Sequence, residues 1–323
     1  MDEPGRFAHD DVSGAPVEVL LQQDEQGLSV DCSALSHACS LQFYMQLMEA
    51  ATCHRRDITS IRLDGLATDI GEAVIAEGIG QKRGKDVVLV PAMAWQKPGS
   101  WLVQPAAPFP AFEVLTAGRP HPLRPQKPSG TVYRRFIPWL GGTLSFRVVD
   151  PDKDVATFSR WMNDPRVAEI WEDDGPLEKH RAILLDRHAD PHVLPLFGEV
   201  EGRPFGYFEV YWAKENRIGP YYEARDHDRG WHVAIGEESC RGRGWISAWL
   251  PSLMHFIFLD DPRTTRIVGE PRASHAQQIR NLDKAGFAKV RHFDFPHKRA
   301  LLVMLERERF FADALWAPEA TRP

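Results

Sequence analysis

The run IGEESCRGRGW (235–245) concentrates residue types that can hold an anion. Gly242 and Gly244 let the backbone approach a ligand closely, and Arg241 and Arg243 bring charge that pairs with phosphate oxygens. The run follows an apolar strand, RGWHVAIG (229–236). It leads into a stretch where Ile246, Trp249, Leu250, Leu253, Met254 and Ile257 recur at helical spacing. A strand that turns through glycines into a helix builds an anion site, because the first helical N–H groups have no partners and the helix dipole is positive there. By itself RGRG reads as a flexible basic turn; its place between strand and helix tips the balance toward a cradle. It is not a Walker loop, since no Gly-Lys-Ser/Thr follows, and it lacks the third glycine and distal acid of a dinucleotide fingerprint.

Within that strand Trp231, Val233 and Ile235 share one face, while His232 and Ala234 share the other. His232 is thus a titratable group among apolar neighbours, which reads either as a hydrogen-bonded structural residue or as a functional one. Trp171, followed by Glu172, Asp173 and Asp174, could hold a cationic ligand; the rival reading is a solvated acidic loop. His188 and His192 have metal-like spacing, yet the HADPH loop gives no third ligand, so no metal site is expected.

These residues need a scaffold, and the chain has the material for one. It holds 323 residues, 43% hydrophobic and 26% charged, enough for one large or two ordinary cores. The net charge of −6 rules out a global basic field, so no nucleic-acid partner is expected and a polyanionic ligand needs a local cluster. Cys32, Cys39, Cys53 and Cys240 form no CxxC pair. The acidic start lacks a signal-peptide core, and the longest apolar run, LMHFIFL (253–259), is too short to span a bilayer. A soluble cytoplasmic protein with no membrane partner is the expectation, with its thiols reduced.

The Pro-rich stretch GRPHPLRPQKPSG (118–130) reads as a linker between two domains, 1–117 and 131–323. The first reads as a smaller α+β domain, with strands at 17–21, 85–91 and 100–105 and a helix at 41–53, and it shows no motif that carries chemistry. The second reads as strand 142–149, helices 154–162 and 176–188, strands 192–200, 204–212 and 229–236, then the helix from Trp245. Pro251 predicts a kink or break in that helix. Strand 265–270, helix 274–287, strands 287–295 and 299–307 and a terminal helix at 306–316 complete it. Ser274 with Gln277 fits a capping box for helix 274–287, with Ala276, Ile279 and Leu282 as its buried stripe.

In this order of elements the sequence resembles the GCN5-related N-acetyltransferases (GNAT), whose pyrophosphate loop reads Arg/Gln-x-x-Gly-x-Gly/Ala. Arg241 and Gly244 match it, and Ile246 departs from it. The resemblance sharpens to the siderophore-biosynthesis acyltransferases of the aerobactin type. It is carried by WMNDPRV (161–167), EVYWAKENRIGPYY (209–222), DRGWHVAIG (228–236), FLDDPRTTRIVGEPR (258–272) and FPHKRALLVMLERERFF (295–311). It implies an α/β fold with a mixed, mostly antiparallel sheet flanked by helices.

It also implies transfer of an acetyl or other short acyl group from acyl-CoA to nitrogen, without a metal. Arg241, Gly242, Arg243, Gly244 and Trp245 would cradle the CoA pyrophosphate. A splayed fourth strand would offer backbone N–H groups around Val233, Ala234 and Ile235 to the oxyanion, and Ser274 and His275 stand where the family contacts CoA. His232 becomes the leading base. Glu270, at the end of the fifth strand, would orient it or relay a proton; its rival reading is a salt bridge to Arg266 or Arg272. Trp212 and Tyr221 would line the acceptor pocket, with core packing the rival for Trp212. His297 and Lys298 would meet a carboxylate. The position of the family's usual tyrosine acid holds Leu282.

A lysine-like amine has a pKa near 10.4 and must lose a proton before attack, whereas an N-hydroxylated amine is already neutral, so a histidine suffices as its base. The expected acceptor is a small N-hydroxylated amine, within a pathway that supplies the partner enzymes. The alternatives are a general amine or aminoglycoside N-acetyltransferase and a non-catalytic CoA-binding module.

Overall fold

A computed structural model of the chain describes residues 6–10, 16–24, 27–33, 35, 40–105, 107–116 and 118–318. It divides into two compact units. The first comprises the residues up to Ser100 together with those from Phe311 onward, and the second is Trp101–Phe310. The division therefore falls at Ser100 rather than at the proline-rich stretch. Cys39 lies outside the described residues.

The first unit contains β1 (Arg6–Asp10), β2 (Pro16–Asp24), β3 (Gly27–Asp31), α1 (Leu41–Thr52), β4 (Ile61–Asp64), α2 (Thr68–Ala76), β5 (Gly80–Arg83), β6 (Asp86–Leu89) and the single turn α3 (Pro91–Ala94). The strands form one sheet in the order β1-β2-β3-β4-β6-β5, mostly antiparallel. α1 buries Phe43, Tyr44, Leu47 and Met48 at the helical spacing that the sequence shows. The strand expected at 100–105 is absent; Leu102 makes an isolated bridge to Tyr133.

The second unit contains the hairpin β7 (Glu113–Thr116) and β8 (Arg119–Pro122), then β9 (Thr131–Ile137), β10 (Gly142–Val148), α4 (Pro151–Met162), α5 (Pro165–Trp171), α6 (Leu177–Ala189), β11 (Val193–Val200), β12 (Arg203–Trp212), β13 (Arg229–Ile235), α7 (Arg243–Asp260), β14 (Arg266–Gly269), α8 (Ala276–Lys284), β15 (Ala288–Asp294) and β16 (Arg299–Glu306). α9 (Arg307–Ala312) crosses the division. Eight strands form one sheet, β15-β16-β14-β13-β12-β11-β10-β9, antiparallel except between β13 and β14.

Adjacent residues of β12 serve opposite faces of this sheet. Tyr207 faces a core with Phe158, Trp161, Met162, Val167 and Leu184 from α4, α5 and α6. Phe208 faces Trp249 of α7. α7 continues through Pro251 without the predicted break, and residues 248–259 are all buried. The sheet and its helices supply the packing that tolerates a proline in the helix interior.

The stretch 118–130 is built into the second unit. Lys127 Nζ donates to the carbonyls of Arg187, Asp190 and Val193 at 2.8, 2.8 and 3.0 Å. Arg124 grips both oxygens of Glu215 at 2.5 and 2.9 Å. Proline content signalled extended backbone correctly; the two cations are what make it anything but a free linker. Among the described residues no helix is long and apolar enough to cross a membrane.

Candidate active site

The ladder between β12 and β13 sets Glu209 opposite His232, with Tyr207 opposite Ala234 and Tyr211 opposite Gly230. These six positions share one face of the sheet. Glu209 Oε2 accepts from His232 Nδ1 at 2.9 Å, and Glu270 Oε1 lies 3.1 Å from Nε2. Each carboxylate is held from behind. Arg187 Nε and the Tyr207 hydroxyl donate to Glu209 Oε1 at 2.9 and 3.0 Å. The Tyr211 hydroxyl donates to Glu270 Oε2 at 3.0 Å, and Arg217 Nη2 lies 3.2 Å from Oε1. Gly230 makes room for this arrangement, because a Cβ there would sit 2.3 Å from the Tyr211 ring. Glu270 therefore pairs with His232. The rival ion pairs are absent: Arg266 binds Asp228 and Arg272 binds Glu172.

Burial alone would raise both carboxyl pKa values. The hydrogen bond and charge of His232, with Arg187 beside Glu209 and Lys298 and Arg217 beside Glu270, hold each at about 2 instead. Burial pushes His232 down, but its bonds to Glu209 and Glu270 outweigh it and the imidazole is raised. The two carboxylates are almost sealed, with 7% and 2% of their side-chain surface exposed, while His232 keeps 21%. The histidine is the member of the trio that a substrate can reach.

His232 opens on a cleft of about 430 Å³. Trp171, His275, His297 and Lys298 line it. Trp171 Nε1 donates to the Val233 carbonyl at 3.2 Å, and its ring stands 6.2 Å from that of His232. Of the acids that follow it, Glu172 and Asp173 reach the cleft, and Glu172 is paired with Arg272. Lys298 Nζ donates to the Glu270 carbonyl at 2.8 Å, and burial pushes its pKa down. Leu282 forms part of the wall, so an apolar side chain occupies the place of the tyrosine acid.

Other expected residues lie elsewhere, and Trp212 takes its rival reading of packing. Trp212 lies on the other face of β12, packed between the guanidinium groups of Arg124 and Arg229 at 4.1 and 4.0 Å. Tyr221 is set behind the wall against Phe295, at 4.6 Å between centroids. Helix α8 is capped by His275, whose Nδ1 accepts from the Gln278 N–H at 3.1 Å, so Ser274 is left exposed. In α8 only Leu282 is buried. Glu209, Arg187 and Arg217 were not singled out from the sequence. A buried acid among the aromatics of FGYFEVYW was the signal for Glu209; Arg187 and Arg217 carry none.

A second candidate region, suited to an anionic ligand, lies along β13 and α7. β13 pairs with β14 at Arg229↔Ile267 and Gly230↔Val268 and then parts from it. Beyond that point the backbone groups of Val233 and Ile235 face the gap, while Ala234 turns toward β12 and buries its methyl. Gly242 has φ of +103°, a conformation that L side chains rarely adopt, and a Cβ at Gly242 or Gly244 would meet open space. With Arg243 exposed at the first turn of α7, the backbone fits an anionic pyrophosphate. Trp245 packs on Phe205 at 5.4 Å.

Arg241, expected in the pyrophosphate cradle, is turned inward. Its Nε and Nη2 donate to the Ile235 carbonyl at 3.2 and 3.0 Å, and Nη2 meets Asp164 at 3.1 Å. It fastens the loop to β13 and to the start of α5, which gives WMNDPRV its structural purpose. Trp161 of that stretch lies under Gly236, where a Cβ would fall 2.0 Å from the indole.

Outside the cleft, His121, His192 and Glu215 could offer three ligand atoms to a metal ion. Glu215 is already engaged by Arg124 at both oxygens and by His121 Nδ1 at 3.0 Å. Burial raises its pKa, but His192 and Arg124 hold it below the usual value. A guanidinium in that contact opposes a second cation, so the cluster reads as an ion network that anchors the 118–130 stretch.

A sheet splayed between one parallel pair, a glycine-started helix at the splay and a histidine between two buried carboxylates in the adjoining cleft mark a GNAT-type acyltransferase. Residues 150–295 match the family model described as an acetyltransferase (GNAT) domain. The chain is 42% identical over 221 residues to the N(6)-hydroxylysine O-acetyltransferase of Escherichia coli, covering 68% of this chain and 70% of that protein. It is 44% identical over 195 residues to the N(5)-hydroxyornithine:cis-anhydromevalonyl coenzyme A-N(5)-transacylase of Beauveria bassiana, covering 59% of this chain but 43% of that protein. A crystal structure of an uncharacterised protein from Bacillus halodurans superposes with a TM-score of 0.54 at 31% identity, over 59% of this chain and 96% of that one. The chain belongs to the GNAT acyltransferase family, among relatives named for hydroxylysine and hydroxyornithine.

Proposed function

We propose that the protein transfers an acetyl or related short acyl group from acyl-CoA to the hydroxylated nitrogen of a small N-hydroxylated amine, a step of hydroxamate siderophore biosynthesis. The observation that carries this reading is a cleft-facing His232 whose Nδ1 is bonded to buried Glu209. Relatives named for hydroxylysine and hydroxyornithine support the acceptor class. A cytoplasmic location beside the other enzymes of an iron-acquisition pathway belongs to the same proposal.

Acyl-CoA would be held by the α7 N-terminus, with Gly242, Arg243 and Gly244 at the pyrophosphate, and it supplies the activated acyl carbonyl. The amides of Val233 and Ile235 face the gap in which negative charge develops on that carbonyl oxygen. With its Nδ1–H on Glu209, neutral His232 presents a bare Nε2. A neutral hydroxylamine nitrogen needs to lose only one proton as the N–C bond forms and the C–S bond breaks, and Nε2 takes it. Glu209 and Glu270 then flank the imidazolium. Leu282 gives the leaving sulfur no acid, so its proton comes from solvent.

An aminoglycoside is a polycation and needs an unspent acidic pocket. Here Glu209, Glu270 and Glu172 are committed to His232, Arg187, Arg217 and Arg272. The test is free-thiol release from acetyl-CoA with N6-hydroxylysine, N5-hydroxyornithine and an N-hydroxydiamine, against their parent amines and an aminoglycoside. At least one hydroxylated acceptor should exceed its parent clearly, and its product should give the coloured ferric complex of a hydroxamate, which an O-acyl product does not. His232→Ala should slow turnover by roughly 10²- to 10⁴-fold. Preference for parent amines would refute the siderophore reading. Binding of CoA without turnover of any acceptor would favour the non-catalytic module.

A further inference from the structure

His232 meets charged or titratable groups from every element packed against it. β12 supplies Glu209 with the hydroxyls of Tyr207 and Tyr211, and α6 supplies Arg187 behind Glu209. Glu270 follows β14, and Lys298 beside it comes with His297 from the turn between β15 and β16. Asp173 and His275 line the same cleft from the α5 and α8 ends. The loop after β12 supplies Arg217.

Arg217 Nη2 lies 3.1 Å from His232 Nε2 and 3.2 Å from Glu270 Oε1, and those two atoms are 3.1 Å apart. The triangle distinguishes the two states of the histidine. If Nε2 carries a proton, it donates to Glu270 and confronts a guanidinium N–H, donor against donor. If Nε2 is bare, it accepts from Arg217 and faces the Glu270 carboxylate, acceptor against acceptor. A guanidinium does not give up its proton, so the Arg217 contact is satisfied only by neutral His232 and the Glu270 contact only by the imidazolium.

We propose that Arg217 opposes protonation of His232 and favours its proton-accepting form, with Nδ1–H on Glu209 and Nε2 bare, against two carboxylates that favour the imidazolium. Arg217 is thus a positioning residue that sets the proton affinity of the base. The aromatic groups behind it fit this role. Its guanidinium lies 5.8 Å from the Phe295 ring, which rests on Tyr221. Tyr221 supports this shelf from behind.

The meaning of that proton affinity for turnover rests on the acyltransferase reading, but the affinity can be measured without turnover. Histidine ring signals of the full chain, titrated by NMR, report it in the wild type, Arg217→Ala, Arg217→Lys and Arg272→Ala. Arg217 is 48% exposed, so its truncation leaves no buried hole. In Arg217→Ala the apparent pKa of His232 should rise by about one unit, the usual effect of losing one adjacent charge. Arg217→Lys should show a smaller rise. Arg272→Ala, which removes a cleft cation that pairs with Glu172, should leave it in place. The acid limb of kcat/KM should move upward by the same amount in Arg217→Ala. An unchanged His232 titration in Arg217→Ala, or an equal rise in Arg272→Ala, overturns the proposal. A specific rise with no turnover in any form upholds it and sinks the acyltransferase reading instead.

Discussion

The proposed mechanism gives His232 two duties that pull its pKa in opposite directions. It neutralises two buried carboxylates when protonated, and it would act as a base only when it is not. Glu209 belongs to both duties, so Glu209→Gln separates them. Losing an adjacent anion lowers the proton affinity of His232, so the acid limb of kcat/KM should shift to lower pH, opposite in sign to Arg217→Ala. The alkaline plateau should still fall by at least about tenfold, because the imidazolium formed on proton transfer loses its countercharge. A pH–rate series on both variants checks the signs, and shifts in the same direction would refute the assignment. Stability follows from the same groups. Glu209 and Glu270 fall from 4.5 to about 2, so their contribution is present above 4.5 and lost as pH drops toward 2. His232 is raised above 6.5, so its contribution is full below 6.5 and is lost as pH rises through the folded value. Wild type should therefore exceed Glu209→Gln most in urea resistance between about pH 5 and 6.5. His232 stood out in the sequence as a polar residue interrupting an apolar strand, and Glu270 entered through the family resemblance. Arg217 was not, since a loop arginine shows no pattern until the fold brings it to a ring nitrogen.

At the scale of elements, the loop between β13 and α7 divides its two arginines between different tasks. Arg241 is turned inward on Ile235 and Asp164, and Arg243 is exposed on the first turn of α7. Arg243→Ala should weaken CoA binding in a strongly salt-dependent way and leave stability unchanged, as an exposed charge facing a phosphate does. Arg241→Ala should weaken CoA binding as well, but together with a loss of about 1–3 kcal/mol in unfolding free energy, since the Ile235 carbonyl loses its donor. Calorimetric titration with CoA at two salt concentrations, paired with urea unfolding, separates the two; equal stabilities would refute the inward role of Arg241. The sequence distinguished the elements themselves well. Strands 229–236 and 299–307 and helix 176–188 sit within a residue or so of β13, β16 and α6, because period-two and period-3.6 patterns are local properties. The linker reading of 118–130 failed for a non-local reason. Proline shows that the backbone is extended, but it cannot show that Arg124 and Lys127 have buried partners far along the chain. The capping box failed in a similar way, since His275 took the cap that Ser274 could have formed.

At the scale of the whole chain, a net charge of −6 repels a polyanionic ligand at long range, so the anion site proposed at the α7 N-terminus has to act locally. All the groups assigned to acyl transfer belong to the second unit, Trp101–Phe310. The last residues return to the first unit, which explains why no boundary near the middle of the sequence could describe the chain completely. Trp316 is 1% exposed and stacks on Trp95 with centroids 5.1 Å apart, while Trp95 Nε1 donates to Thr52 at 2.9 Å. Arg56 reaches the Ala317 carbonyl at 2.8 Å. A terminal tryptophan so placed is part of the first unit's core, and its removal belongs to that unit's stability. Trp316→Ala should cost about 3–5 kcal/mol, the usual loss for a buried tryptophan. In the full chain the cost should appear as a lowered unfolding transition that CoA does not move, because a ligand stabilises only the unit that binds it. The transition that CoA does raise should keep its midpoint, and acyl transfer at temperatures below both transitions should continue. A single transition that responds to both CoA and Trp316→Ala would mean that the two units unfold as one.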